Sequence, residues 1–189
     1  MLAPLTHPRA HDALFDHLMS CATGLPNDRF VARLFVGRAF GEGILPGDLG
    51  LGNVRFAELM WQHFPRLKWN PEMDVGKRPE LQIEFDDLLA FLADEADPQV
   101  ISSADIARII AVACMGANHL WQDLGLPSRQ TLSQMITLNL PALARANDHD
   151  MKWKKFFYRE LCQREGNYVC ASPSCSVCND YAKCFGPEE

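Results

Sequence analysis

The sequence predicts an all-α fold, and three observations predict it. Apolar residues recur at spacings of three and four through most of the chain, glycines and prolines close these periodic segments, and no alternating hairpin pattern flanks a two-residue turn. At 189 residues the chain is long enough for one domain with an appendage and a real core.

The first helix carries Leu14, Phe15, Leu18 and Met19 as its apolar stripe and is closed by Gly24 and Pro26. Asn27 or Asp28 can cap a second helix bearing Phe30, Val31, Leu34 and Phe35, and a Gly/Pro loop spans 37–52. A third helix is expected over 54–63, with Phe56, Leu59, Met60 and Phe64 buried and Pro65 as its stop. Residues 66–79 read as an irregular connection. Residues 80–95 form the clearest amphipathic segment, with Leu81, Phe85, Leu88, Leu89 and Leu92 opposite Glu84, Asp86, Asp87 and Asp94. Pro98 separates it from a buried helix capped by Ser102 or Ser103 and containing the apolar run Ile109 to Met115. Further helices are expected over 128–138 and 150–165, the latter closed by Gly166.

Laid over itself at an offset of 75, the chain places Val31-Ala32-Arg33-Leu34-Phe35 on Ile106-Ala107-Arg108-Ile109-Ile110, and Asp48-Leu49-Gly50-Leu51 on Asp123-Leu124-Gly125-Leu126. One further residue of offset pairs Phe64-Pro65 with Leu140-Pro141. Two explanations stand: coincidence among common helix and loop residues, or a duplicated helical hairpin packed about a pseudo-twofold axis. If the hairpin is duplicated, the difference lies before the shared Asp-Leu-Gly-Leu, where only the second unit carries His119 and Trp121.

Composition narrows the function. Eighteen basic against 24 acidic residues leave a net charge of −6, which supplies no global basic field for nucleic acid. No apolar run approaches the roughly 20 residues of a membrane helix, and the N-terminus lacks a secretory pattern, so a cytoplasmic protein without a membrane partner is expected. Catalytic constellations are missing: there is no G-x-S-x-G, no phosphate-binding G-x-x-x-x-G-K-[ST], no dinucleotide fingerprint, no H-E-x-x-H and no C-x3-C-x2-C.

Five of the seven cysteines fall in the last 28 residues, a skew and an odd total that speak against a disulfide framework. Cys170, Cys175, Cys178 and Cys184 make a C-x4-C-x2-C-x5-C motif. Thiolates suit soft or borderline metals, and the short spacings let one loop wrap one centre. Structural zinc usually takes two C-x2-C knuckles, of which only Cys175 and Cys178 form one; C-x4-C-x2-C is the spacing of the first three ligands in plant-type ferredoxins. Ligand chemistry therefore favours an iron–sulfur site over structural zinc and over a redox dithiol. The chain divides into a helical body, 1–166, and a C-terminal metal-cluster loop, 167–189, attached to the same domain.

Around this motif, Lys152, Lys154, Lys155, Arg159 and Arg164 face only Glu160 and Glu165 on the last helix. They form a solvated face, or they offset cluster charge, attract an oxyanion such as molybdate, or dock an acidic partner. Trp153, Phe156, Phe157 and Leu161 should anchor that helix in the core. Cys162 is expected to be a buried structural cysteine rather than a fifth ligand, His119 a hydrogen-bonded histidine rather than a metal ligand, and Cys21 and Cys114 to lie on apolar helix faces. Pro8 argues for His7 and His11 at the surface.

The run Met151-Lys152-Trp153-Lys154-Lys155-Phe156-Phe157-Tyr158-Arg159, then Leu161-Cys162, Arg164-Glu165-Gly166 and the cysteine motif closing in Asp180-Tyr181 and Cys184-Phe185-Gly186, resembles the NifQ family of nitrogen-fixation proteins. The segment His119 to Leu126 is also similar to that family, and the specific resemblance covers roughly 117–187. It implies a carrier rather than an enzyme. Such a carrier holds molybdenum in an iron–sulfur cluster of the Mo-Fe3-S4 type on Cys170, Cys175, Cys178 and Cys184. It takes the metal from molybdate or another molybdenum source and gives it to nitrogenase cofactor-assembly proteins. The competing reading is a helical interaction protein with a structural zinc site.

Overall fold

The computed structural model describes residues 7–68, 85–164 and 184–185, and these are helix or connecting loop with no strand among them. Helix α1 (His7–Ser20) starts earlier than its apolar stripe suggests. Pro8 is its second residue, where the missing N–H costs nothing because first-turn donors have no intrahelical acceptor anyway. The early start carries His11 inward, half-buried, with its ring 4.0 Å from that of Phe40, so the surface placement expected for it is wrong.

Helices α2 (Asp28–Ala39) and α3 (Asn53–His63) follow where the periodicity puts them. Asp28 ties the turn between α1 and α2: its Oδ2 accepts the N–H groups of Gly24 and Leu25 at 2.7 and 2.8 Å. Helix α4 (Phe85–Asp94) buries Phe85, Leu88, Phe91 and Leu92, while the start expected at 80–84 lies outside the described residues. Helix α5 (Ser103–Cys114) is buried almost all round. Then come α6 (Leu120–Asp123), α7 (Arg129–Asn139), α8 (Pro141–Ala146) and α9 (Trp153–Arg164). Pro141 opens α8 at its first position instead of merely closing α7. The Gly166 stop expected for α9 lies outside the described residues.

The hairpin is duplicated. Helices α2 and α5 each have 12 residues and start 75 positions apart, while α3 and α7 each have 11 and start 76 apart. Their C-caps share a backbone: Phe64 has φ −134 and ψ 58, and Leu140 has φ −132 and ψ 58. Contacts between the units are reciprocal. His63 Nε2 meets Ser102 Oγ at 2.9 Å, and its counterpart Asn139 exchanges two amide hydrogen bonds with Asn27, the counterpart of Ser102, at 2.7 and 2.9 Å. Gly37 faces Gly125 so closely that an added Cβ would stand 2.2 Å from the Gly125 carbonyl oxygen, and their counterparts Val112 and Gly50 also touch. This close approach keeps Gly37 inside α2, although the sequence suggests a loop there. Each residue of one unit meeting the counterpart of its own partner is the signature of an approximate twofold.

The duplication also includes α1 and α4, which pack on α2 and α5 respectively. Leu14, Phe15 and Leu18 correspond to Leu88, Leu89 and Leu92 at an offset of 74. One hydrophobic core runs through both units and takes in Phe156 and Phe157 of α9, each 0% exposed.

The Asn27–Asn139 pair is fully buried, so deleting one amide strands the other away from water. Asn139→Ala should lower stability in urea unfolding by about 2–3 kcal/mol. A loss below about 0.5 kcal/mol would show that the exchange across the axis is not made in solution.

Candidate functional site

Helix α9 belongs to neither unit of the duplication and is seated on the second. Arg164 pairs with Glu95 and stacks over the Phe91 ring at 4.6 Å, tying the end of α9 to α4. Trp153 Nε1 donates to Ser133 Oγ of α7 at 3.2 Å, and Arg129 holds the approach to α9 through the Asp150 carboxylate at 2.7 Å. Trp153, Phe156, Phe157 and Leu161 are buried, as their spacing predicts.

The strongest attachment is ionic. Asp123, at the end of α6, is 0% exposed, and its Oδ2 accepts from Lys154 Nζ at 2.5 Å and from the Asn118 N–H at 3.0 Å. The Asn118 amide reaches Oδ1 at 3.2 Å, and Lys154 also donates to the Gly116 carbonyl at 2.9 Å. Position 116 must be glycine, because an added Cβ would lie 2.3 Å from Asp123 Oδ2. The counterpart in the first unit, Asp48, accepts its own Gly50 N–H at 2.9 Å. Thus the two stretches singled out in the sequence, 119–126 and 151–161, meet in space through Asp123 and Lys154.

Between them lies a cleft of about 520 Å³. His119 and Gln122 line one side, with the His119 N–H donating to Gln122 Oε1 at 3.1 Å at the start of α6. Lys152, Lys154 and Lys155 line the other. Among the described residues, no acidic side chain lines it. His119 is thus a half-buried helix-start residue. Among the described residues, no three His, Cys, Asp or Glu side chains gather into a metal-binding group.

Of the four predicted ligands, Cys184 lies among the described residues, and Cys170, Cys175 and Cys178 lie outside them. Cys184 is half-buried, packs with Phe185 against the core, and accepts the Lys152 N–H on its carbonyl at 2.7 Å. The last cysteine of the motif is therefore pinned beside the cleft. Cys162 is half-exposed near the end of α9, more open than the buried cysteine its helix suggests. Cys21 and Cys114 are buried. Burial pushes the Cys114 thiol up from 9.0 to about 12, with Lys154 pulling it down and Asp123 adding to the rise. A thiol held protonated this way is a poor ligand and nucleophile.

Two outcomes follow. Lys154→Met leaves a buried carboxylate without its cation and should cost about 3–5 kcal/mol in urea unfolding, most of it recovered in the double variant Asp123→Asn/Lys154→Met. A single-variant loss under about 1 kcal/mol would mean that the pair behaves like an exposed bridge. At pH 8 Cys114 should resist iodoacetamide in the native protein and react once urea unfolds it, read by peptide mass spectrometry; native labelling at the unfolded rate would refute its burial. Because its folded pKa lies above the usual value, its contribution to stability is present below pH 9.0 and is lost as pH rises towards about 12.

The family model NifQ matches residues 30–186, a span that includes the whole cysteine motif. Protein NifQ of Azotobacter vinelandii is 38% identical over 86% of this chain and 89% of its own length, and Protein NifQ of Rhodobacter capsulatus is 42% identical over 79% and 82%. The Protein NifQ homolog of Sinorhizobium fredii is 32% identical over 86% of this chain and 73% of its own. No solved structure matches the chain. With its cysteine motif inside the matched span and full-length relatives above 30% identity, the chain belongs to the NifQ family.

Proposed function

We propose that the protein is a molybdenum carrier for nitrogenase cofactor assembly. It holds the metal in a Mo-Fe3-S4 cluster on Cys170, Cys175, Cys178 and Cys184 and passes it to the assembly proteins in the cytoplasm. Membership of the NifQ family implies a role in nitrogen fixation. The observation that carries the finer reading is the intact C-x4-C-x2-C-x5-C motif within the family span. Four closely spaced thiolates form a soft donor set suited to iron–sulfur chemistry. The burial of Cys21 and Cys114 leaves them out of competition for metal, and no helix among the described residues is long and apolar enough to cross a membrane.

A cargo that must leave needs one ligand weaker than the rest. In this reading three cysteines hold iron corners, and the fourth is a labile or molybdenum-side ligand. The cysteine segment, 167–189, is then an exchangeable appendage of a rigid helical body, 1–166. Such a protein binds and releases a cluster and performs no catalysis of its own.

Protein purified without oxygen should be brown, contain iron and molybdenum near stoichiometry, and give a paramagnetic signal from the cluster. A colourless protein with one zinc and no molybdenum would sink the carrier reading in favour of a structural zinc site. Replacing each of the four cysteines by serine should lower iron in three variants and chiefly molybdenum in the fourth. Equal loss of both metals in all four would refute the division of labour.

A further inference from the structure

We propose that the cleft between residues 116–122 and the first turn of α9 binds a tetrahedral oxyanion of the molybdate class, presenting it beside Cys184. This deepens the carrier reading above and rests on it, since that reading makes molybdenum the cargo. Sign of charge is the first argument. The chain as a whole is at −6, yet the described residues lining this cleft include Lys152, Lys154 and Lys155 and no acidic side chain. Of the last helix's other basic residues, Arg159 pairs with Glu160 and Arg164 with Glu95, so neither supplies charge to the cleft. Lys154 is balanced by Asp123 behind it. Lys155, exposed and without an acidic partner among the described residues, retains its positive charge at the rim.

Donor chemistry is the second. Opposite the lysines stand Asn118, His119 and Gln122, side chains able to donate to anionic oxygen. The Gln122 carbonyl oxygen already accepts from the His119 N–H, which leaves its NH2 group available as a donor. Helix α9 has no acidic residue in its own first turn, so its positive dipole end adds to the field. Room is the third: a water's share of liquid volume is about 30 Å³, so a cleft of about 520 Å³ accepts a tetrahedral oxyanion with part of its hydration.

Position is the fourth argument and the one that gives the cleft a purpose. The N–H of Lys152 holds the carbonyl of Cys184, so a residue lining the cleft directly anchors the last cysteine of the motif. An anion collected there is presented next to a thiolate ligand rather than to bulk solvent. The two copies differ at this place, for Asn118-His119-Leu120-Trp121-Gln122 stands where the first copy has Gly43-Ile44-Leu45-Pro46-Gly47.

Equilibrium dialysis of the full anaerobic protein against molybdate tests this, with tungstate, sulfate and phosphate as competitors and iron per chain measured on the same samples. Wild-type protein should bind about one molybdate, displaced by tungstate and poorly by sulfate or phosphate. Lys155→Glu should weaken binding about tenfold or more, whereas Arg145→Glu, the same charge change on the exposed face of α8, should bind like wild type. Equal binding by Lys155→Glu and wild type, or no molybdate bound by protein that contains its iron, would overturn the cleft assignment. Equal displacement by sulfate and phosphate would overturn the oxometalate assignment in favour of a general anion site. Wild-type protein that lacks iron yet binds molybdate in a Lys155-dependent way would support the cleft and sink the cluster reading, so the two failures are separable.

Discussion

The functional end of this protein depends on one buried carboxylate. Asp123 has no access to water, and an isolated carboxylate in that position would be strongly destabilising. Lys154 and both nitrogens of Asn118 offset that cost, and each donor fixes something in place. Lys154 fixes the rotation and height of α9, Asn118 fixes the 116–119 segment, and the Asp123 carbonyl holds the first unit's loop through the Ile44 N–H at 2.9 Å. Were the carboxylate absent, α9 would keep its apolar contacts and the bonds from Lys154 to the Gly116 carbonyl and from Trp153 to Ser133, but would lose its one ionic tie to α6 among the described residues.

Duplication explains why an aspartate is there, and divergence explains what it does. In the first unit Asp48 closes its own turn on Gly50, which is the ordinary use of aspartate before glycine. In the second unit the corresponding side chain faces the foreign lysine of α9, and the turn is held by backbone bonds such as Gly125 N–H to Gln122 O at 2.9 Å. The two counterparts thus differ in that Asp123, unlike Asp48 at its Gly50 contact, anchors the lysine of α9. The reciprocal contacts at His63, Ser102, Asn139 and Asn27 still hold the two units in a common frame, so the change at Asp123 is borne by a rigid support.

Legibility from sequence followed length and locality. Helices of ten or more residues declare a period, so α3, α5 and α7 fall within a residue or two of the pattern and α2 starts where it does; α6 and α8, with four and six residues, are too short to show one. The repeat was readable where the offset stays at 75 and hidden in α1 and α4, where it slips to 74. Pro8 suggests a barrier that would leave His11 at the surface, but a proline in the first turn starts helices well. Gly37 looks like loop in sequence because its reason for lying in a helix is a neighbour 88 residues away, the backbone of Gly125. The cysteine spacing points to a soft metal centre, since ligand reach is local; spacing constrains reach and not the element, so the proposal of molybdenum comes from the family resemblance alone.

The cleft was out of reach for the same reason in stronger form. It joins 116–122 to 152–155, which Lys154 brings together through the Asp123 carboxylate and the Gly116 carbonyl. A run of five cations on one helix looks uniform in sequence, but the fold sorts it: Arg159 and Arg164 serve neighbouring carboxylates, Lys154 serves the anchor, and Lys152 and Lys155 border the cleft. Screening limits such a field to about 8 Å at physiological salt, so the remaining charge acts on what enters the cleft and not on distant partners. Positive charge confined to that radius, beside a cysteine anchored by the same strand of residues, suits a ligand that is small and anionic better than it suits a broad acidic protein surface, which would need cations spread along the whole face of α9.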